Sequence, residues 1–67
     1  MRIEDVKKNL NKMVNYHGKT GTYRLTACIL KKGKDGFYYN AELLDVKANS
    51  LLICPLKDIE PIEGVTV

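Results

Sequence analysis

The sequence predicts a mostly β domain of about five short antiparallel strands, with a short N-terminal α-helix and a 3-10 turn near residues 56–59. Three observations support this fold class. Two strand-like runs flank a glycine-bracketed turn between Tyr23 and Val46, which is the pattern of a β-hairpin. A further apolar run at residues 50–54 ends at a proline, which cannot continue a ladder. Residues 3–11 instead repeat their apolar side chains at helical spacing.

The chain has 67 residues, enough for one domain with a thin core. We assign residues 1–12 to a helical arm, 13–62 to a small barrel and 63–67 to a tail or edge strand. No apolar run approaches the ~20 residues of a membrane helix. Acidic residues stand near the start, where a signal peptide needs an apolar stretch. We therefore expect a cytoplasmic protein with no membrane partner.

The N-terminal helix is predicted from Ile3, Val6 and Leu10, which recur on one face. Acidic residues fall in its first turn and lysines follow, the order that the helix dipole favours. Asn11 is a plausible stop because asparagine tolerates the left-handed conformation. A helix this short needs to dock its apolar side on the sheet.

A short strand at residues 13–16 leads into a glycine-containing loop at 17–21. Within it, the Gly-Lys-Thr at 18–20 mimics the end of a phosphate-binding loop. Met13 occupies the position where that motif requires its first glycine, so we reject the motif. His17 has no acid or nucleophile nearby in sequence, and a catalytic role is unsupported.

Two registers are open for the hairpin. In the first, residues 34–36 form a three-residue loop with Gly36 in the left-handed region, and Gly33 pairs with Phe37. In the second, the whole Gly-Lys-Asp-Gly stretch is the loop and Lys32 pairs with Phe37. A slip of one residue exchanges the two faces of a strand. We favour the first register because it makes the odd-numbered face nearly all apolar.

The favoured register places Leu25, Ala27 and Ile29 opposite Asp45, Leu43 and Ala41. The even-numbered face then carries Arg24, Thr26, Cys28, Leu30 and Lys32 beside Tyr38, Asn40, Glu42, Leu44 and Val46. This face is too apolar to be wholly solvated. Either the N-terminal helix lies across it, which we favour, or it binds a partner or a second copy.

A tight turn at residues 47–49 follows, where Asn49 can adopt the left-handed conformation and Asp45 or Ser50 can cap exposed amides. The next strand, residues 50–54, is apolar on both faces, as expected where a small barrel curls and buries both sides of a strand. It ends at Pro55. Residues 56–59 have room for one 3-10 turn.

The succession of elements resembles the SH3-like small β-barrels. The residues that carry the resemblance are 41–45 (Ala-Glu-Leu-Leu-Asp), 49–53 (Asn-Ser-Leu-Leu-Ile) and 56–61 (Leu-Lys-Asp-Ile-Glu-Pro). The resemblance implies a 3-10 turn just before the last strand. The Ala-Leu-Tyr-Asp-Tyr stretch of peptide-binding SH3 domains and tryptophan are absent, so proline-motif recognition is not expected. The chain also resembles small uncharacterised proteins of Gram-positive bacteria and their mobile elements.

Composition argues against catalysis and metal binding. Cys28 and Cys54 are far apart and both lie in apolar strands, as expected of reduced thiols that act as small core residues. Two cysteines and one histidine are too few for a zinc site, and nothing places a base beside either thiol. We expect no enzyme, no cofactor and no metal.

Charge is unevenly spread along the chain. The net charge is +3, and residues 1–40 hold nine Lys or Arg against three Asp or Glu. We interpret the protein as a binding or accessory module whose partner is a protein or a second copy, through a sheet face or edge. The alternative is nucleic-acid binding through the basic residues of 1–40, with Tyr16, Tyr23 or Tyr38 stacking on bases. The candidate binding residues are Lys19, Arg24, Leu30, Lys31, Lys32, Lys34, Tyr38 and Asn40.

Overall fold

The computed structural model describes residues 1–62. A 3-10 turn at Ile3–Asp5 leads into the helix α1 (Val6–Asn9), and a second 3-10 turn spans Leu56–Asp58. The strands are β1 (Met13–Tyr16), β2 (Tyr23–Gly33), β3 (Gly36–Asp45), β4 (Ser50–Pro55) and β5 (Ile59–Pro61). The predicted fold class of five antiparallel strands, a short N-terminal helix and a late 3-10 turn is confirmed. The predicted tail or edge strand at 63–67 lies outside the described residues.

The five strands form one antiparallel sheet in the order β4-β3-β2-β1-β5. Consecutive strands are neighbours from β1 to β4, and β5 returns to pair with β1. The 3-10 turn at Leu56–Asp58 supplies the change of direction between β4 and β5. Within residues 1–62, β4 and β5 are the two edges of the sheet.

The core lies on one side of this sheet. Leu25, Leu43 and Ile59 are fully buried there. The other buried residues of this cluster are Val6, Val14, Tyr23, Ala41, Cys54 and Leu56. Paired residues project from the same side of a sheet, so the buried odd-numbered residues of β3 define its core face. We call the opposite side of β2, β3 and β4 the outer face.

The N-terminal arm docks on the core through Val6, and Met1 packs against the same cluster. Val6 is buried, whereas Ile3 and Leu10 remain 43% and 38% exposed. Val6 belongs to the same cluster as Leu25 and Leu43. The expectation that the helix lies across the even-numbered face of the hairpin is therefore wrong. Asn11, with φ of 65°, ends the arm in the left-handed conformation, as predicted.

The hairpin register differs from the favoured prediction. Gly33 pairs with Gly36 across a two-residue loop, and Lys32 pairs with Phe37. This is the pairing of the rejected alternative. Gly36 has the predicted left-handed φ, at 124°, but it is a strand residue opposite Gly33 and not a bulge after a three-residue loop.

The irregularity lies at the other end of β2. Leu25 pairs with Leu43 and Ala27 with Glu42, so Thr26 has no partner of its own and forms a β-bulge. The extra residue changes which residues of β2, odd-numbered or even-numbered, face the core. Before the bulge its odd-numbered residues face the core, and after it Cys28 packs against the core whereas Ile29 shares the outer face with Asn40. The predicted core position of Ile29 is therefore wrong.

The turn between β3 and β4 forms as the sequence predicts. Asn49 adopts φ of 52°, and the Ala48 N–H donates to Asp45 Oδ1 at 3.2 Å. Four residues separate β3 from β4. Within them, Asn49 supplies the left-handed conformation that the turn needs, and the Asp45 carboxylate accepts a hydrogen bond from an exposed amide.

Candidate functional site

Within residues 1–62, no group of three or more His, Cys, Asp or Glu side chains is placed to hold a metal ion. Nor does that part of the chain contain a helix long and apolar enough to span a membrane. The surfaces available for function are therefore described from their shape, charge and backbone.

The two cysteines lie on the core side, where both are free thiols. Cys28 and Cys54 each pair with Ala41, from opposite sides of β3. They are thus two strand spacings apart, about 10 Å, which is beyond the reach of a disulfide. Burial raises the pKa of both thiols, and Asp58 raises that of Cys54 further.

The only histidine forms a hydrogen bond with a carboxylate at the surface. His17 Nε2 lies 2.8 Å from Glu60 Oε1, and both side chains are about half exposed. The His17 backbone N–H also donates to the Asp58 carbonyl at 2.9 Å. These contacts hold the β1–β2 loop against the segment around β5, which gives the histidine a structural role.

The outer face carries a partly exposed apolar patch. Its members come from three adjacent strands: Ala27 and Ile29 from β2, Leu44 from β3, and Leu51 and Ile53 from β4. Leu51 and Ile53 are 61% and 50% exposed. We call these five residues the outer patch. An exposed apolar surface that spans three strands is typical of an interaction site.

One acidic side chain interrupts the outer patch. Glu42 lies between Ala27 and Ile53 in the cross-strand row. The Thr26 hydroxyl is 2.7 Å from Glu42 Oε1 and 3.1 Å from the Glu42 carbonyl oxygen. The bulged threonine therefore supplies a donor to the carboxylate, which lowers the cost of placing a charge among apolar neighbours.

The outer patch reaches an open strand edge at β4. Pro55 has no N–H, so its pairing with Asn40 is of the non-hydrogen-bonded type. The hydrogen-bonded pairs are then Ala41 with Cys54 and Leu43 with Leu52. By alternation, the backbone N–H and C=O groups of Leu51 and Ile53 point away from β3. In the described chain no strand pairs with this side of β4.

A second candidate surface is the distal hairpin, which we define as residues 27–40. It extends beyond β1, because β1 pairs with β2 only at Tyr23 and Arg24. Its exposed side chains are three lysines, one aspartate and four large apolar or aromatic residues: Lys31, Lys32, Lys34, Asp35, Leu30, Phe37, Tyr38 and Tyr39. Basic and aromatic side chains are thus interleaved at one end of the molecule.

An open groove of about 560 Å³ lies where β4 leaves the sheet. It is lined by Met1, Ile3, Tyr38, Tyr39, Asn40, Pro55, Leu56 and Lys57. The Met1 amino group closes one side, because it donates to the carbonyl oxygens of Leu56 and Ile59. The groove is mostly apolar and adjoins the distal hairpin.

The predicted binding residues do not form one site. Arg24, Lys31, Tyr38 and Asn40 project from the outer face, whereas Leu30 and Lys32 project from the other side of the sheet. Lys34 is in the hairpin loop and Lys19 in the β1–β2 loop. Arg24 and Lys31 are seven residues apart along β2, which corresponds to about 23 Å. The basic residues are therefore divided between the two ends of the sheet.

Sequence reasoning missed the members of the outer patch on β4. Leu51 and Ile53 were read as part of a strand buried on both sides, yet they are among the most exposed apolar residues of the chain. It also missed Ile29, because an unbroken alternation places it in the core. The available signal was the uncharged stretch from Ala48 to Leu56, which is unusual for an edge strand.

Comparisons with known proteins find no match to this chain among family models, curated proteins or solved structures.

Proposed function

We propose that the protein is a small non-enzymatic binding module that engages another protein through the outer patch and the adjoining edge of β4. The observation that supports this most directly is the exposure of Leu51 and Ile53 beside an unpaired strand edge. A partner strand added to this edge gains main-chain hydrogen bonds, and the outer patch offers apolar contacts for alternate side chains.

Other features of the chain agree with such a role. The core is made by the opposite side of the sheet, so the outer patch is not required to complete it. Exposed large apolar side chains reduce solubility and are retained at a cost unless they contact something. The Thr26–Glu42 pair adds one oriented acidic group to the patch, which favours partners that place a donor opposite it.

The test is a selection of random displayed peptides against the immobilised protein. We expect enriched peptides that bind the natural protein and fail to bind a Leu51→Lys variant. Leu30→Lys is the matched control, because Leu30 is 56% exposed and lies on the distal hairpin, outside the outer patch. Absence of enriched peptides, or binding that is lost in the Leu30 variant and kept in the Leu51 variant, would contradict the proposal. Circular dichroism should show that both variants are folded.

A second candidate function is binding of single-stranded nucleic acid by the distal hairpin. It is favoured by the interleaving of Lys31, Lys32 and Lys34 with exposed Phe37 and the two tyrosines that follow it. Lysines attract the phosphates and aromatic rings stack on bases. Fluorescence anisotropy with a labelled polythymidine oligonucleotide tests it. We expect binding that weakens steeply with salt and is reduced by Lys31→Gln; no binding at low salt would rule it out.

We further infer a relationship to the SH3-like small barrels and a cytoplasmic location in a bacterium. The strand order and the 3-10 turn before β5 support the first inference. Two free thiols held apart by one strand support the second, because the cytoplasm keeps thiols reduced.

A further inference from the structure

We infer that the occupant of the β4 edge is a second copy of this chain, paired antiparallel through β4 about a two-fold axis. This inference rests on the proposed function of the same surface and names its partner. It extends the five-stranded sheet of each copy into one continuous sheet across the dimer.

The backbone of β4 is compatible with this pairing. The unpaired N–H and C=O groups belong to Leu51 and Ile53, as its pairing with β3 dictates. A two-fold axis beside Leu52 sets Leu51 of one copy opposite Ile53 of the other, and the reverse. Each of these residues then exchanges hydrogen bonds with its counterpart, and the edge groups of both are satisfied by the same interaction.

The side chains are self-complementary in this register. Leu51 and Ile53 both project from the outer face, so each contacts the other residue type across the axis. The outer patches of the two copies become one apolar surface. Leu52, half-buried on the core face, meets its own counterpart at the axis.

Charge favours a second copy at this edge over other free edges. The stretch from Ala48 to Leu56 contains no charged residue, so two copies meet there without a like-charge contact. The free side of β2 in the distal hairpin carries Lys31 and Lys32, and lysines on an edge oppose self-pairing. Each copy has a net charge of +3, so we expect added salt to strengthen the dimer by screening their overall repulsion.

The dimer is expected to be weak. β4 has six residues, and an edge of this length buries less than the about 1,200 Å² of a standard interface. We therefore expect a dissociation constant between about 10 µM and about 1 mM.

The experiment combines sedimentation velocity with amide hydrogen exchange on the full chain, across that concentration range. We expect a reversible dimer in which the Leu51 and Ile53 amides exchange at least about tenfold more slowly at high concentration. The Leu52 amide, already bonded within the sheet, serves as the internal control. Leu51→Lys should weaken the dimer at least about tenfold because it sets like charges beside each other, whereas Leu30→Lys should not.

Each alternative outcome overturns the inference. A strict monomer at the highest concentration does so, and so does a dimer whose protected amides lie away from β4 or whose stability falls with salt. A monomer that still selects peptides dependent on Leu51 refutes the second copy and leaves the protein-binding function standing. A monomer that selects none refutes both.

Discussion

Gly21 allows the buried ring of Tyr23 to sit against the β1–β2 loop, and its replacement by alanine should be destabilising. A β-carbon at Gly21 would lie 2.8 Å from Oη, 2.9 Å from Cζ and 3.0 Å from Cε2 of Tyr23. Tyr23 is 7% exposed, and its ring packs edge-on against Tyr16 with centroids 5.4 Å apart. Because the ring is buried and packs against Tyr16, we expect Gly21→Ala to cost about 1–3 kcal/mol, as for other overpacked cores.

Gly33→Ala is the matched control. Its β-carbon would also approach a tyrosine ring, at 3.2 Å from Cε1 and 3.4 Å from Cδ1 of Tyr38. Tyr38 is 48% exposed, so its ring can rotate into solvent, and the expected cost is below about 0.5 kcal/mol. Neither Gly21 nor Gly33 has a left-handed φ, so backbone strain does not distinguish the two substitutions.

Urea unfolding followed by circular dichroism measures both costs. A chain of this length has a total stability of about 3–10 kcal/mol. With a slope of about 1 kcal/mol per molar urea, the Gly21 variant should unfold about 1–3 M earlier. Equal costs for the two variants, or a larger cost at Gly33, would refute the view that the buried ring is immovable.

Four further predictions concern the two thiols, Thr26 and Asn49. Burial raises the pKa of the Cys28 and Cys54 thiols, so both should alkylate slowly near neutral pH in the native protein, by mass spectrometry, and fast native alkylation would contradict this. The folded state binds the two thiol protons more tightly than the unfolded chain does. The free energy of unfolding should therefore decline as the pH rises past 9.0, the ordinary pKa of a cysteine thiol. Thr26→Val should cost about 1 kcal/mol in urea unfolding because Glu42 loses its donor; an unchanged midpoint would show the bond is not needed. Asn49→Ala should cost about 1–2 kcal/mol because φ is 52° there, whereas Asn49→Gly should keep the natural stability, and equal effects would argue against a conformational cause.

The local backbone conformation was predictable from the sequence where a single residue determines it. Asn11 and Asn49 take the left-handed conformation that their side chains tolerate, and Pro55 ends β4. The number and direction of the strands also followed from turn residues and apolar runs. These features depend on neighbours in sequence, and the fold class follows from their succession.

The register of the hairpin was not predictable by the same means. The choice between two loops assumed that β2 alternates without interruption, and the better apolar match then favoured the wrong one. The bulge at Thr26 satisfies both halves of the strand separately: Leu25 reaches the core before it and Cys28 after it. An extra residue of this kind is stabilised by contacts with β3, including the Thr26–Glu42 pair, which are distant in sequence.

The candidate site was only partly predictable for the same reason. A surface formed by Ile29, Leu44 and Leu51 depends on which residues pair across three strands. The predicted register differed from the observed one, so it assigned some residues of the outer patch to the core and others to the surface. The distal hairpin was easier, because its lysines and aromatic residues are close in sequence.

The bulge also determines where this chain tolerates insertions and deletions. Because side chains alternate along a strand, deleting Thr26 would join the two halves of β2 into an uninterrupted strand that keeps its present pairing with β3. Ile29 and Lys31 would stay on the outer face, and Cys28 would stay on the core side. One residue can thus be removed from β2 at the bulge without exchanging its faces, and the loop at Lys34 and Asp35 connects two exposed strand ends and can be lengthened at only a small entropic cost.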